Sequence, residues 1–363
     1  MPITLREAGA FKVVRGPVVL QGPVVTRASI FTGEWGEFLA RLDKRSGRQI
    51  WRKRMSGHIW SAHGDKVLIY SGNAKETQLW NEDGEIIWRR SGRLGPESGR
   101  LFDNAKGQLR TIDVLTGQVI DEFECPPGRP NLMHDGVLLL TNQDGSIAPV
   151  QAVDLSRRAV VWQKDLTSDV KERYGDACPR GLSFLASLPG RVVAKSGQHL
   201  VAVSLVDGGF GWGLPLSVPY VTMAREGRIY TWSAPSDGTS TRVTFDLDSG
   251  QTVRETSAPS ASENRLVIVD EASGQIVVDR PLASYGPAFR GVQEAYGGTL
   301  CKEHVVFTTR SGMMAVFRLW DGELVWQHQH RDQLFSPAFE ENRLYVACAD
   351  GTLVIIEAEG GEL

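Results

Sequence analysis

The sequence has few cysteines, and their spacing matches none of the common cysteine motifs. Cys125, Cys178, Cys301 and Cys348 lie far apart, so there is neither a CxxC pair nor a CxxCH haem-attachment motif. Scattered cysteines of this kind are more typical of buried thiols in a reducing compartment than of a disulfide framework. We therefore expect free thiols and a cytoplasmic location.

Long apolar runs are also missing. The short apolar pairs within the first 25 residues are separated by Arg15, Gly16, Pro17 and Pro23. A secretory leader needs an uninterrupted apolar core, and a membrane-spanning helix needs a still longer one. We expect neither a signal peptide nor a membrane contact.

The charge balance shows no excess of either sign. The 40 basic and 43 acidic residues give a formal net charge of -3, whereas a general nucleic-acid binder needs a basic face to displace counterions. Helical periodicity is weak throughout, and the best polar stretch, 167–174, is interpreted as a loop. The 39 glycines and 17 prolines indicate many turns.

A repeated turn is the strongest pattern in the chain. The segment LDKRSGRQIW (42–51) combines Asp43, a Ser46-Gly47 turn and Trp51, and related segments recur at intervals of 37, 33, 41, 50, 42, 24, 48 and 39 residues. Seven of these intervals fit one four-stranded propeller blade. In each turn an aspartate can accept hydrogen bonds from the backbone, and glycine can adopt the positive φ of a hairpin. The turn residues are Gly47, Gly84, Gly117, Arg158, Gly208, Gly250, Gly274, Gly322 and Gly361.

A second repeated feature, a proline at the start of the first strand of each blade, decides how many blades are predicted. No such proline precedes Gly274 at the expected distance, and the Gly274 turn follows the previous turn by only 24 residues. We therefore predict that 260–284 is an extra hairpin attached to the Gly250 blade. The remaining turns predict eight blades, with seven as the alternative. The prolines are Pro23, Pro96, Pro130, Pro179, Pro219, Pro287 and Pro337, and Trp60 takes this place in the second blade.

The two chain ends are predicted to share a blade. The last blade lacks its fourth strand because the chain stops soon after Gly361, while residues 3–14 have no blade of their own. Pairing between them would leave no exposed sheet edge. The predicted fold is thus an all-β, eight-bladed β-propeller that forms a single domain over residues 1–363.

The turn followed by tryptophan resembles the PQQ-type β-propeller repeat, as in the segments around Gly47, Gly84, Gly208 and Gly322. The family includes quinoprotein alcohol dehydrogenases and the non-enzymatic BamB-like propellers. The resemblance implies that the tryptophans dock between blades, and less regularly where Asp121, Arg254 and Val278 take their place. The implied inter-blade residues are Trp51, Trp88, Trp162, Trp212 and Trp326.

The chain departs from the enzymes of this family. It has no adjacent cysteine pair and no haem motif, and its N-terminus shows no lipobox cysteine. We expect no cofactor and regard BamB-like propellers as nearest in kind.

Residues that could carry chemistry have simpler interpretations. His328 and His330 share one face of a strand, but the sequence nominates no third ligand, so no metal site is predicted. The carboxylate pairs Glu82-Asp83 and Glu340-Glu341 fall in turns, where acids usually act as caps. His58 and His63 are interpreted as packed or solvated side chains.

Arginine and aromatic residues near the starts of the first strands are the preferred binding candidates, because such side chains commonly anchor interfaces. Loops 167–179 and 257–264 are alternatives. We expect a non-catalytic module that binds another protein. A propeller enzyme (a lyase, a hydrolase or a degenerate quinoprotein) and a sensor of small acidic ligands are the alternatives. The candidates are Trp60, Arg129, Arg180, Tyr220 and Arg290.

Overall fold

The computed structural model describes residues 4–13, 22–34, 38–55, 57–71, 76–91, 95–97, 99–141, 149–174, 182–196, 199–215, 222–225, 227–233, 241–245, 252–256, 264–290 and 295–359. These residues form eight four-stranded sheets and one two-stranded sheet. The predicted all-β, eight-bladed propeller is confirmed, and the seven-bladed alternative is wrong. Cys178, Arg180, Tyr220, Asp246 and Gly250 lie outside the described residues.

The first strand of the chain, β1, is Thr4–Lys12, and blades 1 to 4 follow it in order. Blade 1 contains β2 (Val24–Val25), β3 (Ser29–Glu34), β4 (Phe38–Asp43) and β5 (Gln49–Arg54). Blade 2 contains β6 (His58–His63), β7 (Lys66–Ser71), β8 (Glu76–Trp80) and β9 (Ile86–Ser91). Blade 3 contains β10 (Gly95–Glu97), β11 (Arg100–Ala105), β12 (Gln108–Asp113) and β13 (Val119–Glu124). Blade 4 contains β14 (Arg129–His134), β15 (Val137–Thr141), β16 (Val150–Asp154) and β17 (Ala159–Lys164), and the helix α1 (Leu166–Tyr174) follows it.

Blades 5 to 8 complete the chain. Blade 5 contains β18 (Leu182–Leu188), β19 (Arg191–Ser196), β20 (His199–Ser204) and β21 (Phe210–Pro215). The next strands are β22 (Thr222–Arg225), β23 (Arg228–Ser233), β24 (Thr241–Phe245), β25 (Thr252–Thr256), β26 (Arg265–Asp270) and β27 (Ile276–Pro281). Two short 3-10 helices, Leu282–Tyr285 and Pro287–Phe289, precede blade 7, which contains β28 (Ala295–Leu300), β29 (His304–Thr309), β30 (Met313–Arg318) and β31 (Leu324–Gln329). Blade 8 contains β32 (Ala338–Glu340), β33 (Arg343–Ala347) and β34 (Thr352–Glu359).

The chain divides into two compact units. The first consists of Met1–Asp103, Thr111–Asp121 and Ala295–Leu363, and the second of Asn104–Arg110 and Glu122–Glu294. Blades 1, 2, 7 and 8 lie in the first unit and blades 4, 5 and 6 in the second, while blade 3 has strands in both. The expectation of a single domain stays a prediction.

The repeated turn has the geometry that its residues predict. Asp43 Oδ1 accepts hydrogen bonds from Ser46 N and Ser46 Oγ, both at 2.7 Å, and Gly47 has a φ of 65°. The same aspartate-to-hydroxyl contact recurs at Asp113, Asp154 and Asp270. Arg158 stands in the glycine position with a φ of 53°, a left-handed conformation in which a side chain is strained.

Tryptophans join consecutive blades within each unit. Each of four indoles donates a hydrogen bond to a backbone carbonyl in the turn of the next blade, which satisfies a polar group that packing removes from water. The bonds are Trp51 to Glu82 (2.6 Å), Trp88 to Val114 (3.0 Å), Trp162 to Leu205 (2.8 Å) and Trp212 to Glu271 (2.8 Å). Trp326 packs against the core that blades 7 and 8 share.

The turn glycine is required by this docking as well as by its own φ. A Cβ atom placed on Gly117 would lie 2.7 Å from the Trp88 ring, and one on Gly274 would lie 2.5 Å from the Trp212 ring. The indoles of Trp88, Trp162 and Trp212 therefore pack directly on the backbone of the next turn, whereas at Gly84 the side chain of Lys53 takes this place. A bulge in the fourth strand precedes the tryptophan, as at Val161 before Trp162, where the pairing shifts by one residue.

The N-terminal strand completes the last blade, as predicted. Strand β1 pairs antiparallel with β34 from Thr4 opposite Glu359 to Lys12 opposite Thr352. Phe11 takes the position of the docking tryptophan, because a Cβ on Gly47 would lie 2.3 Å from its ring. The contact between the last blade and the first thus resembles the tryptophan contacts at Gly117, Gly208 and Gly274.

The extra hairpin is elsewhere than predicted. Strands β26 and β27 are the third and fourth strands of blade 6, after β22 and β23, whereas β24 and β25 form the separate two-stranded sheet. The predicted insertion at 260–284 is wrong because Trp212 docks on the Gly274 turn, which makes that turn the genuine blade turn.

The stretch 167–174, interpreted as a loop, lies within α1. Asp165 caps the helix: Ser168 Oγ donates to Asp165 Oδ2 at 2.7 Å, and Ser168 N donates to Oδ1 at 3.2 Å. Leu166 and Val170, one helical turn apart, are fully buried in the core around Trp162. The cap and the burial of this apolar pair stabilise a helix although most residues of the segment are polar.

Replacing a docking tryptophan should destabilise the fold strongly. Trp162 is 8% exposed and hydrogen-bonded, so Trp162→Ala should lower the free energy of unfolding by about 3–5 kcal/mol, measured by urea denaturation. Trp320→Ala is the matched control because Trp320 is 55% exposed, and its effect should be within about 0.5 kcal/mol. Equal effects of the two substitutions would contradict the docking role.

Removal of residues 1–14 should lower both solubility and melting temperature, because it leaves the edge of β34 unpaired and the Gly47 turn uncovered. Phe11→Ala, which keeps the strand pairing, should produce the milder thermal shift. Differential scanning calorimetry of the full and shortened chains tests this, and an unchanged melting temperature would refute the closure.

Acid should destabilise the turns. Hydrogen bonds from the Ser46 hydroxyl and amide hold the pKa of Asp43 below 3.8, and the Thr116 amide and hydroxyl do the same for the pKa of Asp113. Because the unfolded state then binds the proton more tightly, the stabilisation is present above about pH 4 and is lost as the pH falls through the folded pKa. Urea midpoints should fall from about pH 5 to pH 3, and less steeply in the Asp43→Asn/Asp113→Asn double variant. Identical slopes would contradict this.

Candidate functional site

Trp60, the first of the predicted binding residues, lies at a bulge in the first strand of blade 2. The pairing of β6 with β7 runs from Ile59–Ile69 directly to Ser61–Leu68, so the register shifts at Trp60. Its ring stacks on Tyr70, with centroids 5.3 Å apart and planes 16° apart. Trp60 is half-buried, so only part of its indole is accessible.

The histidines beside Trp60 are packed. His58 lies 6.0 Å from Tyr70, ring centroid to centroid, and His63 is hydrogen-bonded to Ser61 Oγ at 2.9 Å. Burial lowers the pKa of His63, which keeps its imidazole neutral at pH 7.

Two of the three predicted arginines lie in the described part of the chain, and both are exposed side chains at the ends of elements. Arg129 is the first residue of β14, and Arg290 follows the second 3-10 helix. Both belong to the second unit, whereas Trp60 belongs to the first. The binding site predicted from these residues therefore stays a prediction.

Tyr296 repeats the arrangement of Trp60 and was missed in the sequence. The pairing of β28 with β29 skips it in the same way, between Ala295–Thr309 and Gly297–Thr308. Its ring meets Phe335 edge-on at 5.3 Å, and the Arg310 guanidinium lies 5.6 Å from the ring centroid. Because 37% of Tyr296 is exposed, this aromatic and cationic pair is accessible.

Trp320 is the most exposed aromatic side chain among the described residues, at 55%, and the sequence pattern did not single it out. It lies at the tip of the turn between β30 and β31, two residues before Gly322. Arg318 donates to both carboxylate oxygens of Asp321, at 3.0 and 2.7 Å, and its guanidinium lies 5.0 Å from the Trp320 ring centroid. The indole is thus held in place although it faces solvent.

The paired carboxylates are structural, as the sequence indicated. Glu82 accepts hydrogen bonds from Arg41 at 2.9 Å and from Ser29 at 3.0 Å, which links blade 1 to blade 2. Glu340 and Glu341 lie 2.5 and 3.0 Å from the ammonium of Lys44, which links blade 8 to blade 1. These groups join neighbouring blades and do not face a common substrate position.

His328 and His330 do not form the pair that their spacing allows. The His328 ring stacks on Trp326 with a 6° interplanar angle, and burial lowers the pKa of its imidazole. His330 lies just beyond the end of β31, beside Cys348 and Asp350. The two residues beside His330 thus belong to blade 8 and follow it by 18 and 20 residues in the sequence.

The described cysteines are free thiols, as expected. Cys125, Cys301 and Cys348 are all buried and unbridged. Among the described residues, no helix has the length and apolar character needed to cross a membrane.

Solved structures with the same fold differ in function. The chain is similar to the computationally designed Ika8 protein (13% identity, TM-score 0.65, covering 95% of this chain and 98% of that one). It is also similar to BamB from Moraxella catarrhalis (12%, 0.59, covering 99% of both chains). Quinohemoprotein alcohol dehydrogenase ADHIIG from Pseudomonas putida HK5 is a third (12%, 0.60, covering 99% of this chain and 77% of that one). At such identities the likeness shows the fold alone.

Comparison of the sequence with protein families is more specific. None of the curated proteins matches the chain. The family model described as outer membrane protein assembly factor BamB matches residues 36–224, which is more than half of the chain. The resemblance drawn from the turn and tryptophan pattern is confirmed, and the chain belongs to this BamB family of PQQ-like propellers.

Proposed function

We propose that the protein is a non-catalytic propeller that binds another protein, and that Trp320 is part of the contact surface. The observation that carries this proposal is an indole 55% exposed at a turn tip and held by the Arg318–Asp321 pair. Tryptophan and arginine are enriched among residues that dominate binding energy, and a side chain already held in place loses little entropy on binding. Membership of a family described by an assembly factor also supports a protein partner.

The binding residues predicted from the sequence offer a second candidate surface for the partner. Arg129 starts a first strand, whereas Trp320 lies in a turn between third and fourth strands, and these are opposite ends of an antiparallel blade. Trp60, Arg129, Arg180, Tyr220 and Arg290 remain candidates for that end. No nucleic acid or membrane partner is proposed, and the three buried free thiols support a reducing compartment such as the cytoplasm.

Affinity capture with matched variants tests the proposal. The full chain is immobilised, incubated with native lysate of its source cells, and its bound proteins are quantified by mass spectrometry. One partner should be recovered by the wild type and reduced at least about tenfold by Trp320→Ala, since a central aromatic contact is worth about 2 kcal/mol or more. Val206→Ala is the control because Val206 is 80% exposed at the same turn position of blade 5.

Other outcomes decide against this surface. Loss of the partner in Arg129→Ala and Arg290→Ala, with Trp320→Ala unaffected, would place the contact at the other end of the blades. Recovery of free protein alone, together with turnover on a substrate panel, would contradict a binding module.

A further inference from the structure

One group of side chains in the first unit has the composition of a metal site. An imidazole nitrogen of His330, the thiol sulfur of Cys348 and a carboxylate oxygen of Asp350 lie within 4.8 Å of one another. His330 belongs to the connection that leads from blade 7 to blade 8, while Cys348 and Asp350 belong to the turn between β33 and β34. The sequence separates them by up to 20 residues, so only the fold brings them together.

The donor set favours zinc. Thiolate, imidazole and carboxylate are the three ligand types that Zn²⁺ takes, and the thiolate disfavours magnesium and calcium. Tetrahedral zinc ligands lie about 3.5 Å from one another, so small side-chain rotations would bring these three atoms to bonding distance. Three protein ligands leave a fourth position for water or for a donor from a partner.

The backbone around these side chains is already ordered by hydrogen bonds. His330 Nδ1 lies 3.2 Å from Asp332 N and 3.4 Å from Asp332 O, and in the tautomer that frees Nε2 for a metal it donates to that carbonyl. Cys348 is fully buried, and its amide donates to Thr352 O at 2.8 Å. Asp350 Oδ1 accepts from Thr352 N at 2.9 Å. Contacts of this kind, beyond the ligands themselves, are what hold metal ligands in position.

Arg331 is the cation that now balances Asp350. Its guanidinium lies 2.7 Å from Asp350 Oδ2, and its side chain is 73% exposed. The arginine side chain has room to rotate into solvent, whereas the Asp350 side chain is only 11% exposed and needs a cation beside it. A divalent ion would then replace it as the partner of the carboxylate.

We propose that His330, Cys348 and Asp350 bind a zinc ion that links the connection between blades 7 and 8 to the β33–β34 turn. The same turn receives the end of β1, because Val13 N donates to Gly351 O at 2.9 Å. Zinc binding therefore stabilises the blade in which the two ends of the chain meet. The inference does not depend on the proposed protein partner.

The test uses the full chain, stripped with a chelator and kept reduced. Zn²⁺ is titrated against a chromophoric competing chelator, and Co²⁺ serves as a spectroscopic probe, since a thiolate-to-cobalt charge-transfer band reports the cysteine. We expect one zinc per chain and a loss of affinity of at least about tenfold in His330→Ala and in Cys348→Ser. Zinc should also raise the melting temperature of the wild type but not of His330→Ala.

Matched control variants exist for the histidine and the cysteine ligand. Cys301 is a buried thiol of the same core, and His328 precedes His330 by two residues but stacks on Trp326, so Cys301→Ser and His328→Ala should bind zinc like the wild type. Arg331→Gln should bind zinc more tightly, because it removes the competing cation.

Several zinc-binding results would overturn the proposal. They are no stoichiometric zinc, binding that persists in His330→Ala, and equal losses in the two control variants. If Cys348→Ser does not fold, Asp350→Asn takes its place, and a cobalt complex without a thiolate band would also refute the site.

Discussion

The contact between a tryptophan and the backbone of the next turn is the interaction on which the blades depend. At Gly117, Gly208 and Gly274 the turn glycine has to satisfy two conditions at once: a positive φ that closes the hairpin, and no Cβ where the indole of the preceding blade lies. A tryptophan buries about 150–250 Å² of surface, and its indole N–H pairs with a turn carbonyl that would otherwise lose its hydrogen bond. Phe11 on Gly47 fills the same position without a hydrogen-bonding indole.

Charged side chains reinforce these contacts between blades rather than forming a catalytic group. Lys53 and Arg90, each two residues after a docking tryptophan, donate to the carbonyls of Gly84 and Gly117 at 2.8 and 2.6 Å. Lys44 with its two glutamates, and Arg41 with Glu82, do the same through ion pairs. Trp320 and His330, on which the two proposals rest, lie outside this repeated pattern, at a turn tip and in a connection between blades.

Much of the fold could be predicted because the repeat is local. Aspartate, a small hydroxyl residue and glycine within five residues define a turn whatever surrounds it, and counting such turns predicted the eight blades. The shared last blade followed from a missing strand at one end of the chain and an unassigned one at the other. The helix α1 was missed although its signals are local: Asp165 as a cap, and Leu166 and Val170 one turn apart.

The sequence by itself determined the turn chemistry and the number of blades, because both depend on the conformational preferences of a few neighbouring residues. The resemblance to the PQQ-type repeat implied which tryptophans dock between the blades. Tertiary structure alone decided which of two similar hairpins belongs to blade 6, since only the docking of Trp212 on Gly274 distinguishes them. It also decided that Trp320 is exposed while Trp162 is buried, and that His330 meets Cys348 and Asp350. Burial and proximity across blades depend on how distant strands pack, and no local pattern encodes that packing.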